Sequence, residues 1–177
     1  MHTSTRGFTL YELLMTLALA AILLSLGVPA FHGTLARSRQ AAEINALFHA
    51  VHLARKESIV QRRTVSLCPS TDGQSCTGDT DWSVGWIAFR NADGDSPPVV
   101  DAGEFIIQAH AVDPRIRITS NRRAFTLRAT VRRATNGTLV ICDTADRVRP
   151  KALVVSYTGR PRVAVERNNG TPYSCAD

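Results

Sequence analysis

Arg160 and Arg162 stand two residues apart directly after a Thr158-Gly159 turn, so a strand starting there would extend both guanidinium groups from one side. Arginine's rigid fork suits phosphate and carboxylate, and a Thr-Gly turn can offer backbone N–H groups as well. The chemistry on offer is therefore anion binding. Arg167 follows on the next turn, and Arg149 and Lys151 extend the set along the chain. The wider charge pattern agrees. Residues 115–167 carry thirteen basic and three acidic side chains, net +10, whereas residues 68–113 carry one basic and eight acidic ones, net −7. No helix placed to read base edges is visible, so a nucleic acid would be held by its phosphates, with little sequence preference and a strong dependence on salt. The opposed blocks equally suit pairing between neighbouring copies.

Other chemistries find little support. His2, His32, His49, His52 and His110 are scattered, and His49 and His52, three apart, lack a third ligand nearby in sequence. Nucleophile elbows, phosphate-binding glycine loops and H-E-x-x-H are missing from the sequence. An enzyme is not expected, and neither is a cofactor. Asn91-Ala92-Asp93-Gly94-Asp95 has the look of a calcium loop, but residue 102, where the twelve-residue loop needs glutamate, is alanine; the stretch reads as an acidic turn, with no metal. Cys68, Cys76, Cys142 and Cys175 form no C-x-x-C pair, and their spacings do not suit zinc. Behind an exporting helix an even count reads as disulfides. Three pairings are open. The favoured one joins Cys68 to Cys76 around Ser70-Thr71-Asp72-Gly73-Gln74-Ser75 and Cys142 to Cys175, stapling the C-terminus to an internal strand.

The elements that must carry these residues show in the periodicity. From Leu13 to Phe31 run 19 residues without Asp, Glu, Lys, Arg, Asn or Gln, about the length a helix needs to cross the hydrocarbon of a bilayer. Only Thr16 and Ser25 are polar there, so a membrane-inserting helix is expected, too long for a secretory leader cut after Val28-Pro29-Ala30. Glu12 lies at its start. Pro29 should kink or locally break the helix. Beyond it Ala42, Ile44, Leu47, Phe48, Val51, Leu53, Ala54 and Ile59 continue at near-helical spacing, which predicts one helix from 9 to about 62, apolar all round in its first half and amphipathic in its second. After Arg63 the period drops to two. Thr64-Val65-Ser66-Leu67-Cys68, a segment with Val84, Trp86 or Ile87, and Phe89 inward, residues 104–112, 115–119 and 124–133, and three further segments before Arg167 read as strands. Asn136-Gly137 favours a tight hairpin. The fold class expected is α+β, a long helix packed on an antiparallel β domain.

Arg6-Gly7-Phe8-Thr9-Leu10-Tyr11-Glu12 ahead of the apolar run resembles the class III leader of type IV pilins and type II secretion pseudopilins. Cys68-Pro69-Ser70, Asp72-Gly73, Cys76, Trp82, Gly85-Trp86-Ile87-Ala88-Phe89 and Asn91-Ala92-Asp93-Gly94 look like the GspH/FimT class of minor pilins and pseudopilins. Leu139-Val140-Ile141-Cys142-Asp143, Leu153-Val154-Val155-Ser156 and Gly159-Arg160-Pro161-Arg162 extend the likeness over essentially the whole chain. Ala124-Phe125 departs from it, where members often have Gly-Phe.

The resemblance implies a pilin-like fold with two sheets and the following roles. A prepilin peptidase would cut after Gly7 and methylate Phe8. Glu12 would be the assembly carboxylate, answering a neighbour's N-terminal amine within a bundle of helices, and Pro29 the helix-bending proline. Residues 1–7 would be the leader, 8–34 the transmembrane and filament-core helix, and 35–177 a periplasmic domain on a single-pass inner-membrane protein that later enters a filament with other pilins. Some members bind DNA through a Gly-Arg-x-Arg element, which Gly159, Arg160 and Arg162 match. The expected function is a minor pilin that binds double-stranded DNA non-specifically during uptake for natural transformation. The alternative is a structural minor pilin that primes assembly, or a pseudopilin of a type II secretion system, without DNA binding.

Overall fold

The computed structural model describes residues 7, 9–129 and 134–175, and of residues 26–30 the backbone alone. Among the described residues one helix, α1 (Leu10–Val60), precedes eight strands: β1 (Thr64–Pro69), β2 (Trp86–Asn91), β3 (Ile106–His110), β4 (Ile116–Ser120), β5 (Phe125–Leu127), β6 (Gly137–Asp143), β7 (Lys151–Val155) and β8 (Pro161–Ala164). The helical backbone runs through Gly27 and Pro29, so the expected local break does not occur. Two compact units divide the chain, Met1–Leu35 and Ala36–Asp177.

In the first unit every described side chain from Thr9 to Ser25 is exposed, including Leu10, Leu13, Leu14, Leu17, Ile22, Leu23 and Leu24. Among the described residues no helix is long and apolar enough to cross a membrane; within the apolar run the side chains of residues 26–30 are not among those described, and Phe31 beyond them is exposed. The helix begins with a capping box. Thr9 donates its N–H and its hydroxyl to Glu12 Oε2, both at 3.2 Å, and Thr9 Oγ1 accepts the Glu12 N–H at 3.2 Å. Thr-x-x-Glu thereby satisfies two of the donors that a helix start leaves orphaned.

The second unit is built around one face of α1. Ala36, Gln40, Glu43, Leu47, Ala50, Ala54 and Ser58 are buried at three- or four-residue steps, with Ile44 and Val51 beside them. The stripe differs from the expected one, because Ala42 and Ile59 lie on the exposed side and three polar residues take part. Each polar member has partners. Gln40 Nε2 donates to the carbonyls of Ile141 (2.9 Å) and Arg149 (3.0 Å), Ser58 donates to Arg55 O (2.8 Å), and Glu43 accepts from Asp113 N (3.1 Å) and lies 2.8 Å from His110 Nε2. A purely apolar count misses such positions, since buried polar groups are tolerated when hydrogen-bonded.

The strands form two four-stranded antiparallel sheets, ordered β3-β2-β1-β5 and β4-β6-β7-β8. Val65 and Leu67 of β1, Trp86 and Ala88 of β2, Ile116 and Ile118 of β4, Leu139 and Ile141 of β6, and Leu153 and Val155 of β7 join the stripe of α1 in one core. Ile87 and Phe89 pack on the other face of the first sheet with Cys68, while Val140, Cys142 and Ala152 pack under Tyr173 on the outer face of the second. Val84, expected inside, is exposed, because pairing starts only at Trp86, opposite Pro69. β5 ends at Leu127, and residues 130–133 of the expected strand lie outside the described residues. Leu127 pairs with Val65, so a longer β5 would lie opposite the end of α1, and Arg128 instead gives its carbonyl to the Arg55 guanidinium. The expected hairpin at Asn136-Gly137 is not formed: β5 and β6 belong to different sheets, and a Cβ on Gly137 would fall 2.6 Å from Arg122 Cγ. Glycine there serves close approach rather than a two-residue turn.

Disulfides join Cys68 to Cys76 and Cys142 to Cys175. At the turn after β6 the Asp143 side chain, fully buried, receives Arg147 Nη2 at 2.6 Å, Nε at 2.8 Å and the Arg147 N–H at 3.1 Å. The Arg147 guanidinium bonds hold the Asp143 carboxyl below its ordinary range, against the opposing effect of burial. A depressed carboxylate stabilises the fold above its unfolded pKa of about 3.9, and that contribution fades as pH falls through the lower folded value. Thermal midpoints of the native chain and Arg147→Gln should therefore differ most above about pH 5 and converge in more acidic buffer. A gap independent of pH would show that the pair is not linked to folding.

Candidate nucleic-acid interface

The β7–β8 turn sets the position of the paired arginines. Gly159 N–H donates to Ser156 O (2.9 Å), Ser156 N–H to Arg160 O (3.1 Å) and Arg160 N–H to Ser156 Oγ (3.2 Å), while Ala134 N–H donates to Tyr157 O (2.9 Å). The amides of Gly159 and Arg160 are thus spent within the turn rather than offered to an anion, which corrects the expectation of exposed N–H donors. Gly159 is buried at φ +71°, and a Cβ there would lie 2.6 Å from Leu127 Cδ2 and 3.2 Å from Arg55 Cδ. Its part is to let the turn dock. Gly159→Ala, combining left-handed strain with a clash, should cost about 2 kcal/mol in urea unfolding; an unchanged midpoint would refute the tight docking.

Arg160 and Arg162 flank buried Pro161 and are both exposed. Arg162 pairs across with Val154, which places it on the outer face of the second sheet, and its Nη2 donates to Asn168 Oδ1 at 3.0 Å. Asn168 belongs to the turn 167–170, closed by Gly170 N–H to Arg167 O (3.0 Å), and Thr171 O accepts the Arg167 N–H (2.8 Å). The Arg167 guanidinium lies 5.5 Å from the centre of the Tyr173 ring. Arg162, Arg167, Asn168, Asn121, Thr138 and Tyr173 line a cavity of about 440 Å³ on this outer face. Among the described residues neither Arg160 nor Arg162 is ion-paired, so both charges remain for an external anion.

Arg149 and Lys151 are not brought to this cluster. Lys151 pairs with Ile141 and so faces the side of the sheet opposite Arg162, about 13 Å along β7 from the turn. Arg149 lies beside the other end of that strand, where its carbonyl accepts from Gln40. The Arg147 guanidinium is committed to Asp143. Asn121, Asn168 and Tyr173 were missed in the sequence because they come from separate turns; the Asn-Asn-Gly at 168–170 was legible only as a turn.

At the other end of the chain, Glu12 closes its own capping box, a local role alongside any in assembly. Gly7 is exposed, Phe8 lies outside the described residues, and the side chain of Pro29 does likewise.

The family model of the type II transport protein GspH matches residues 43–159. Among solved structures the chain is similar to the type IV minor pilin FimU of Pseudomonas aeruginosa (22% identity, TM-score 0.51, covering 77% of this chain and 97% of that one). It is also similar to the minor pseudopilin EpsH from the type 2 secretion system of Vibrio cholerae (8% identity, TM-score 0.50, covering 71% and 96%). At these identities the likeness speaks for the fold, an α1 packed on two antiparallel sheets. No curated protein matches the chain.

Proposed function

The chain belongs to the GspH family, the minor pilins and pseudopilins of the GspH/FimT kind, and from that membership we propose that it is a type IV pilus subunit that binds double-stranded DNA non-specifically during uptake for natural transformation. The observation that carries the reading is the pair of exposed guanidinium groups, Arg160 and Arg162, held by a docked turn with no carboxylate partner among the described residues. Duplex phosphates are the matching ligand: their charges repeat along a groove-width surface, and arginine meets them as a fork. Arg167 adds a third cation beside the same cavity.

The N-terminal half supplies the rest of the reading. A helix whose apolar side chains are exposed all round needs either a bilayer or other helices around it. We assign it both in turn: the inner membrane, with the Ala36–Asp177 unit in the periplasm, and then the core of a filament made with other pilins. Cleavage after Gly7 by a prepilin peptidase would put a new amine on Phe8, next to the Thr9 N–H that already bonds to Glu12. The Glu12 carboxylate then answers an amine of its own or a neighbouring chain.

A strain in which the chromosomal gene carries Arg160→Ala and Arg162→Ala should keep its pili and lose most of its transformation. Transformation at the native level would remove the DNA clause. A second reading has its own support in the segregated charge, net −7 over residues 68–113 and net +10 over 115–167: complementary patches would let copies or partners dock in a filament or a secretion pseudopilus without any DNA. Loss of pili in a deletion strain would favour that priming role.

A further inference from the structure

We propose that the cavity on the outer face of the second sheet holds one unpaired nucleotide of the DNA gripped at the β7–β8 turn, so that the protein prefers DNA with a single-stranded end. The inference rests on the DNA reading above and goes beyond it. A row of residues crosses the sheet from strand to strand. Arg162 of β8 pairs with Val154 of β7, and Val154 pairs with Thr138 of β6. Asn121, just past β4, meets Thr138 through two bonds: its N–H donates to Thr138 O at 3.3 Å and its Oδ1 accepts the Thr138 N–H at 2.9 Å. Three strand spacings, about 14 Å, separate the ends of the row. Arg167, Asn168 and Tyr173 of the segment after β8 line the opposite side, and about 440 Å³ is left between, a small-molecule pocket in size rather than a dimple.

The lining changes character along the row. Among the described residues none that lines the cavity is acidic, while two are arginines. Asn168 takes one Arg162 donor at 3.0 Å, which leaves the rest of that fork for a phosphate. Val154 and Val140 give the middle an apolar floor for the face of a base, and the Tyr173 ring closes one wall. Asn121 and Asn168 use their side-chain oxygens on the Thr138 N–H and on Arg162 Nη2, which leaves their NH2 groups to donate to the carbonyls and ring nitrogens of a base. Phosphate, base face and base edge thus each meet a matching group. A base inside a duplex offers neither its faces, which are stacked, nor the edge that its partner holds. Taking it out costs stacking and pairing energy, least where the strand is already single, so an overhang is the natural occupant. Arg162 belongs both to the turn and to the cavity, which ties the occupant to the DNA backbone held beside it.

The test titrates the full chain in detergent with a blunt duplex, the same duplex with a short thymidine overhang, and the same duplex with an overhang of equal length made of abasic sugars. The two overhangs carry the same phosphates, so the salt-dependent attraction is matched and only the bases differ. The thymidine overhang should bind about tenfold more tightly than the abasic one. Thr138→Met combined with Val154→Met fills the floor with flexible side chains that bring neither charge nor an aromatic face. That variant should melt and bind the blunt duplex as the native chain does, yet bind the two overhangs alike. Equal affinity of the native chain for both overhangs, or an advantage that survives in the filled variant, overturns the proposal while blunt-duplex binding stands. Absence of binding to every one of these DNAs removes the DNA reading beneath it, and the proposal with it.

Discussion

Replacing Arg160 and Arg162 together by alanine is expected to weaken duplex DNA binding about sixtyfold at 0.1 M salt. Each guanidinium that neutralises a phosphate adds about 0.9 to the slope of log affinity against log salt, which at a tenth of the molar reference amounts to about 0.9 decade per contact. Two contacts give about 1.8 decades, and the slope itself should flatten by about 1.8. Both side chains are exposed, and Arg162 loses only a hydrogen bond to the exposed Asn168, so the thermal midpoint should hardly move. Lys151→Ala, on the opposite face of the same sheet, should leave the slope nearly as it was. Electrophoretic shifts over a range of potassium chloride, run on all three proteins, measure these differences. Equal slopes for the double variant and the native chain would separate Arg160 and Arg162 from any DNA binding.

Exchanging Cys142 and Cys175 for serine should lower the stability by about 3.7 kcal/mol, because their disulfide closes a separation of 33 residues and removes that loop-closure entropy from the unfolded chain. The same relation gives about 2.5 kcal/mol for Cys68 and Cys76, only 8 apart. The longer bridge has a second consequence. It holds the segment in which Tyr173 covers Val140, Cys142 and Ala152, and in which the Tyr173 ring meets Arg167. Without it the outer face loses one wall of its cavity, so DNA affinity should drop along with stability. Urea unfolding of the two serine pairs is the check; a larger loss from Cys68 and Cys76 would contradict this ordering.

The period of the sequence carried most of the architecture. The 3.6-residue pattern through Leu47, Val51 and Ala54, then the two-residue alternation in β1, β4 and β6, place one helix before eight antiparallel strands. What alternation could not supply was pairing. β5 ends at Leu127, opposite Val65 near the start of β1, and Asn136-Gly137 connects strands of different sheets. Polarity misled where hydrogen bonds compensate burial, as at Gln40 and Glu43. In the candidate interface the adjacent arginines were legible because neighbours in sequence share a turn. Asn121, Asn168 and Tyr173 were not, since separate loops bring them to one cavity. Thr9 and Glu12 have the Thr-x-x-Glu spacing of a capping box, a local signal that lies inside the leader motif.

The central claim, a pilin-fold subunit that grips DNA by its phosphates at the β7–β8 turn, is met most directly by one titration. Two labelled duplexes of unrelated sequence are bound by the full chain in detergent while salt is raised, and anisotropy is followed. If Arg160, Arg162 and Arg167 each take a phosphate, the two duplexes should bind alike with a log–log slope near −2.7. Absence of binding at low salt, a flat salt response, or a clear preference for one duplex would contradict the account.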